Sequence, residues 1–254
     1  MEYGTITIMR LLFSIFLMAS TSVSAQSYVD DYSPTTYENI SNLMWKYNIH
    51  DAGDAGVYKA YFQSTKCDLF KKYYKDDFLW QTIIEGFKRN NKYFSSDIPN
   101  KFYINASIPI DRYDFAKAVF IIDEQFALDN ADAIQIPFYE GKLIKCDSRI
   151  EDKYFPHRVK FIADRKFAMD EIPIGMDDAN ALLTRIKQYK YENTDLERII
   201  AVRFLITING VQNYDSEGTS PEIKYKGSLD EIAFFEDPQM TKPIWKKQFK
   251  VFED

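Results

Sequence analysis

The spacing of hydrophobic residues changes from a helical to an alternating pattern at Pro99. Residues 35–92 place apolar side chains three and four positions apart, as on one face of an α-helix. Residues 101–110 instead alternate apolar and polar side chains, as in a strand with one buried face. Because a sequence with helical spacing does not form a stable strand, we expect the chain to separate its helices from its strands.

Three helices are predicted before Pro99. Thr35 and Glu38 have the spacing of a capping box at the start of the first helix, and Asp54 can cap the second. The third helix is expected to follow Asp76 or Asp77. The predicted apolar residues of the first helix are Ile40, Leu43, Met44 and Tyr47. Those of the second are Val57, Ala60 and Tyr61, and this helix is expected to continue or restart beyond Thr65 toward Leu69, Phe70 and Tyr73. Those of the third are Trp80, Ile83, Ile84 and Phe87.

A β-rich part is predicted at residues 100–237, with one embedded helix at residues 176–189. The strongest strand is expected at residues 200–208, with a turn at Asn209-Gly210. The stretches PEIKYKG and LDEIAFFED are predicted as two final strands that pair with each other. The other predictions are strands at residues 101–110, 115–122, 133–139, 142–146 and 158–163, a turn at residues 111–114, and a tail at residues 238–254.

This order of elements predicts an α+β fold with a mostly antiparallel sheet or sandwich. A doubly wound sheet would need regular alternation of strands and helices, which the pattern lacks. Hydrophobic residues make up 46% and charged residues 28%, as is usual for a globular chain. Residues 26–254 are therefore predicted to form a single domain.

Residues 1–25 are predicted to be a cleavable signal peptide. Arg10 precedes a short apolar run, and Val23 and Ala25 occupy the −3 and −1 positions of a cleavage site that makes Gln26 the first mature residue. The apolar run is shorter than the roughly 20 residues of a membrane-spanning helix. The alternative is a buried N-terminal helix. We expect export to the periplasm or out of the cell, with no integral membrane segment in the mature chain.

The chain has two cysteines, Cys67 and Cys146. An even number of cysteines in an exported protein favours a disulfide, and the alternative is two separate buried thiols. Closing a loop of this length would contribute roughly 4–5 kcal/mol in a chain-entropy estimate. A zinc site is not expected, because two distant cysteines without nearby histidines cannot supply four ligands.

The charge of the chain argues against nucleic acid as a partner. Lys and Arg number 32 against 38 Asp and Glu, which gives a net charge of −6. Nucleic-acid binding depends on an excess of basic side chains that face phosphates, and anionic membrane surfaces attract the same side chains. The partner class that remains is a protein or an envelope component.

No catalytic, metal or cofactor site is predicted. The two histidines, His50 and His157, are too few for a metal-dependent phosphohydrolase, and His50 is expected at a helix end where the helix dipole would stabilise it. The motifs of a nucleophile elbow and of phosphate-binding loops are absent. Residues 129–132 (DNAD) lack the glycine and spacing of a calcium loop.

Carboxylate pairs keep a second hypothesis open, a hydrolase that acts on a glycan. Such an enzyme needs two acids that face each other across a cleft. Candidate pairs are Asp177 with Asp178 and Asp230 with Glu231, although the first pair is also ordinary at a helix start. A binding protein should instead expose an apolar patch or a sheet edge, and the tail around Trp245 is one place to expect a patch.

The sequence of elements over residues 100–237 resembles exported bacterial proteins known only as domains of unknown function. The resemblance rests on the succession of strands, the DDANALL helix, the long strand and the EIAFFED stretch. It implies a bacterial, exported protein and carries no site residues. The leading hypothesis is therefore a non-enzymatic periplasmic binding or accessory protein.

If the leader is removed as predicted, protein purified from the producing cells begins at Gln26, which N-terminal sequencing would show. Residues 1–8 contain Glu2 and no positive side chain, so we also expect translation to start at Met9. A secreted chain that keeps residues 11–19, or a precursor that starts at Met1, would contradict these two expectations.

Overall fold

A computed structural model gives the structure of the chain and describes most of it after the predicted leader. The described residues are 31–94, 97–122, 131–136, 144–146, 148–149, 154, 156, 158–167, 169–186, 198–216 and 221–249. Those from Ser33 onward belong to one compact unit. The predicted leader and its cleavage site at Ala25 and Gln26 lie outside the described residues, as does His157.

Four helices precede the long strands in the described part of the chain, because the second of the three predicted helices restarts as a separate one. They are α1 (Tyr37–Lys46), α2 (Ala55–Thr65), α3 (Cys67–Tyr73) and α4 (Asp77–Phe94). A fifth helix, α5 (Met176–Ile186), lies among the strands. The predicted face of α1 is confirmed, since Ile40, Leu43 and Met44 are buried. No helix among the described residues is both long and apolar enough to cross a bilayer.

The first helix begins one residue later than predicted. Its N-cap is Thr36, whose Oγ1 accepts a hydrogen bond from the Asn39 amide at 3.2 Å. Thr35 instead donates its hydroxyl to the carbonyl of Tyr103 at 3.2 Å, and Glu38 pairs with Lys66 rather than closing a capping box. Because the hydroxyl of Thr35 is bonded to Tyr103, the next residue, Thr36, caps the helix.

Within the described residues, nine strands form one mixed sheet and two more form a small separate ribbon. The strands are β1 (Ser33–Pro34), β2 (Lys101–Asp114), β3 (Val119–Ile122), β4 (Ala131–Ile136), β5 (Ile144–Lys145), β6 (Ser148–Arg149), β7 (Arg158–Phe167), β8 (Glu171–Pro173), β9 (Ile199–Asp215), β10 (Glu222–Phe235) and β11 (Pro243–Gln248).

The strand order of the large sheet is β4-β7-β10-β9-β2-β3-β8, with β1 added to β2 and β11 added to β10. Among the described pairings of this sheet, β1 with β2 and β7 with β10 are parallel and the others are antiparallel. The predicted α+β class with a mostly antiparallel sheet and one embedded helix is confirmed.

Both predicted turns at the ends of strands are wrong, because the strands continue through them. β2 runs to Asp114, and the turn occupies residues 115–118, where Asp114 Oδ1 accepts from the amides of Ala116 and Lys117 at 2.8 and 3.1 Å. The segment Asn209-Gly210 lies inside β9. The register with β10 shifts there, which accommodates the extra residue as a β-bulge.

The two strands predicted at the end of the chain are one continuous strand, β10. It does not fold back on itself; its first half pairs with β7 and its second half with β11, while β9 lies along its other edge. The predicted tail at residues 238–254 therefore contains a strand. The predicted break between the two strands falls after Gly227, where an added Cβ would lie 1.9 Å from the carbonyl oxygen of Thr207 on β9. This glycine allows two backbones to approach closely.

The hydrophobic core lies between one face of the sheet and the helices. The predicted inner face of β9 is confirmed, because Ile200, Val202, Phe204, Ile206 and Ile208 are all buried. Two long-range hydrogen bonds fix the first helix to the sheet. Tyr225 donates to the carbonyl of Ile40 at 3.2 Å, and Tyr47 donates to the carbonyl of Ile208 at 3.0 Å.

The close approach at Gly227 predicts that Gly227→Ala destabilises the protein by about 1–3 kcal/mol or more, since two central strands must move apart. The matched control is Gly86→Ala in α4, where an added Cβ meets nothing within 4 Å. We expect this control to stabilise the helix by about 0.5–1 kcal/mol. Urea unfolding of both variants measures the two changes, and similar values would contradict the strand-contact explanation.

Candidate functional site

The described histidine, His50, is a buried side chain rather than a metal ligand or a charged helix cap. It follows the end of α1 and packs against Trp45, with ring centroids 4.7 Å apart. Burial lowers its pKa to about 4, so the imidazole is neutral at pH 7. The expected stabilisation by a helix dipole needs a protonated ring and is therefore wrong. Among the described residues, no group of His, Cys, Asp or Glu could hold a metal ion.

The two predicted carboxylate pairs have separate structural environments. Asp177 and Asp178 are exposed in the first turn of α5, as expected for a helix start. Asp230 and Glu231 are buried on β10 next to a shift in register. Asp230 accepts from the hydroxyls of Thr207 and Ser228 at 2.6 and 2.8 Å, whereas Glu231 accepts from the side-chain amide of Gln248 at 3.1 Å.

Two further buried acids at the end of β10 were not singled out from the sequence. Burial would raise the pKa of Asp237, but hydrogen bonds from the amides of Thr241 and Lys242 outweigh it and lower the pKa. Glu236 pairs with Arg185 at 2.8 Å and with Lys242 at 3.1 Å. Because a general acid needs a raised pKa, Asp237 is suited to holding the turn between β10 and β11 rather than to proton transfer.

The cysteines lie at disulfide distance, as the sequence favoured. The sulfur atoms of Cys67 and Cys146 are 2.08 Å apart and the Cα atoms 5.4 Å apart. Cys67 is the first residue of α3, and Cys146 directly follows β5. The pair thus connects the start of α3 to a point 79 residues further along the chain.

Among the described residues, four large apolar side chains are exposed on α3, at the cap that follows it and at the start of α4. They are Leu69, Tyr74, Phe78 and Leu79, which we call the 69–79 surface. Phe78 is 88% exposed and Leu79 is 48% exposed. Soluble chains bury most of their aromatic residues, so a cluster of this kind is typical of an interaction surface.

The 69–79 surface rests on well-packed residues. Tyr74 stacks on the buried ring of Phe70 at 4.4 Å and meets Trp80 edge-on at 5.3 Å. Asp76 caps α4, because its Oδ1 accepts from the amides of Phe78 and Leu79 at 3.1 and 3.0 Å. The exposed side chains therefore project from ordered backbone, so a partner that covers them need not order the backbone as well.

The described residues around Trp245, where a patch was expected, include no large apolar side chain that is mostly exposed. Trp245 lies in β11, half-buried against Phe234 with ring centroids 6.0 Å apart. The patch at Phe78 could have been found from the sequence. Two positions along an α-helix correspond to a rotation of about 200°, so Phe78 lies nearly opposite Trp80. Because Trp80 belongs to the buried face, Phe78 cannot share that face.

The family model described as "Domain of unknown function (DUF4852)" matches residues 54–185. The chain belongs to this family. The resemblance to an uncharacterised domain family is thereby confirmed, although the match begins and ends earlier than residues 100–237. No curated protein and no solved structure matches the chain.

The range matched by the DUF4852 family runs from the cap of α2 to the last turn of α5. It includes the 69–79 surface and both cysteines. Strands β9, β10 and β11, with their buried acids, lie beyond it.

The low pKa of His50 predicts a specific loss of stability in acid. The unfolded histidine binds a proton near pH 6.5, whereas the folded one binds it only near pH 4. This residue should therefore reduce the free energy of unfolding as the pH falls from 6.5 to 4, by about 3 kcal/mol in total. The measurement is urea unfolding of the wild type and of His50→Gln at several pH values. If both chains lose stability equally over this window, His50 is not the cause.

Proposed function

We propose that this member of the DUF4852 family is an exported, non-enzymatic binding protein that contacts a partner protein through the 69–79 surface. The observation that carries the proposal is the exposure of Phe78 and Leu79 at the start of a capped, well-packed helix. Burying a side chain such as Phe78 in an interface contributes about 1.5–3 kcal/mol. Such a residue has the properties of an interface anchor, because it is aromatic and its backbone is fixed by the cap of α4.

Support for export to the periplasm comes from two independent features. The first is the signal-peptide pattern that ends at Ala25. The second is the cysteine pair at disulfide distance, since disulfides persist in oxidising compartments. The pair joins the first residue of α3, so an oxidising environment would also help to hold the 69–79 surface in place.

The test is a photo-crosslinking residue placed at Phe78 in cells that naturally produce the chain. The matched control is the same residue at Phe115, which is 76% exposed in the turn between β2 and β3. We expect a discrete protein adduct from position 78 and none from position 115. A second change, Leu79→Ser, should weaken the adduct while the unfolding midpoint of the purified protein stays unchanged.

Three other outcomes decide against the proposal. No adduct from position 78, or equal adducts from both positions, would show that the 69–79 surface has no specific partner. An adduct of twice the mass of the chain would identify a second copy of the protein instead of a different partner.

A further inference from the structure

Arg203 projects from the face of the sheet opposite the helices. It lies on β9 between two neighbours in register, Asn105 on β2 and Ala233 on β10. Its sequence neighbours Val202 and Phe204 belong to the buried inner face. Since side chains alternate along a strand, the guanidinium extends over the outer face, where Ala233 and Phe235 form a small separate cluster.

The guanidinium is held in place by aromatic and polar contacts on both sides. Its carbon lies 5.2 Å from the ring centroid of Tyr103 on β2 and 5.2 Å from that of Phe235 on β10. Nε donates a hydrogen bond to Oδ1 of Asn105 at 3.0 Å. A terminal nitrogen lies 3.6 Å from the sulfur of Met240, which is a weak acceptor.

These contacts leave the positive charge without a negative partner. A guanidinium has five N–H donors, and the contacts above use two of them. In the part of the chain that the structure describes, Arg203 forms no ion pair with a carboxylate. Glu231 lies on β10, two residues before Ala233, and it contacts Gln248 at 3.1 Å and Lys246 at 3.8 Å. Burial lowers the pKa of Arg203, which reflects the cost of keeping this charge half-buried.

The surroundings of Arg203 add features that favour a bound ligand. The Nε bond to Asn105 uses only the amide oxygen of that exposed residue, so its amide nitrogen can donate to the same ligand. The rings of Tyr103 and Phe235 offer apolar surface beside the charge. An unpaired arginine is also unusual in a chain whose acids outnumber its Lys and Arg by 38 to 32.

We propose that Arg203, with Asn105 beside it, is a binding site for an oxyanion, a carboxylate or phosphate group, on a ligand whose apolar part contacts Tyr103 and Phe235. The planar fork of the guanidinium matches two oxygens of such a group, and both aromatic rings keep the fork in one orientation. The site is independent of the 69–79 surface; Tyr103 and Asn105 lie within the range that the family model matches, whereas Arg203 and Phe235 lie beyond it.

The experiment is an NMR titration of ¹⁵N-labelled protein spanning residues 26–254, which observes the Nε–H resonance of Arg203. The probes are sodium benzoate, a carboxylate with an apolar ring, and inorganic phosphate, with sodium chloride at equal ionic strength as the control. We expect benzoate or phosphate to give a saturable shift that chloride does not reproduce. A stronger response to benzoate identifies a carboxylate ligand, and a stronger response to phosphate identifies a phosphate ligand.

Two variants separate a binding role from a structural one. Arg203→Lys keeps the charge but loses the fork, and should weaken binding about tenfold or more. Asn105→Ala removes an exposed side chain and should weaken binding less, with an unchanged unfolding midpoint. In each variant, shifts of backbone amides in Tyr103 and Phe235 report binding. If neither anion shifts the wild-type resonances beyond the chloride control, or if Arg203→Lys binds as tightly as the wild type, the proposal is overturned.

Discussion

The close approach of β9 and β10 at Gly227 determines how the rest of the sheet is arranged. Because no Cβ fits against the carbonyl of Thr207, only glycine lets these central strands stay paired along their whole length. The continuous β10 can then pair with β7 and β11 in turn on its other edge. Its buried Tyr225 donates to Ile40, which links this central strand to the first helix.

The two faces of the sheet differ in chemistry because alternate residues of β9 point in opposite directions. The inner face is a continuous apolar layer under the helices, whereas the outer face carries Arg203 and the carboxylates of β10. Asp230, Glu236 and Asp237 are bonded to hydroxyls, cations or backbone amides. The acids therefore stabilise the sheet and its last turn, whereas Arg203 forms no ion pair with a carboxylate among the residues that the structure describes.

The 69–79 surface depends on a different set of forces from the sheet. Asp76 orders the first turn of α4, and the stacked rings of Phe70 and Tyr74 fix the end of α3. The cysteine pair connects the same region to β5 and β6. A partner would thus meet exposed apolar groups on ordered backbone, whereas an oxyanion ligand would meet a single fixed charge on the other face of the sheet.

Local patterns in the sequence determined the helical and β-rich parts, the inner face of β9 and the cap at Asp54, because they depend on residues a few positions apart. The same rules failed at Asn209-Gly210, where a predicted turn is a β-bulge, and after Gly227, where two predicted strands are one strand in close contact with β9. The tertiary structure alone decided the pairing of β10 and the contacts of Arg203. Both depend on strands that are far apart in the sequence, and the spacing of neighbouring residues does not predict which of these strands pair.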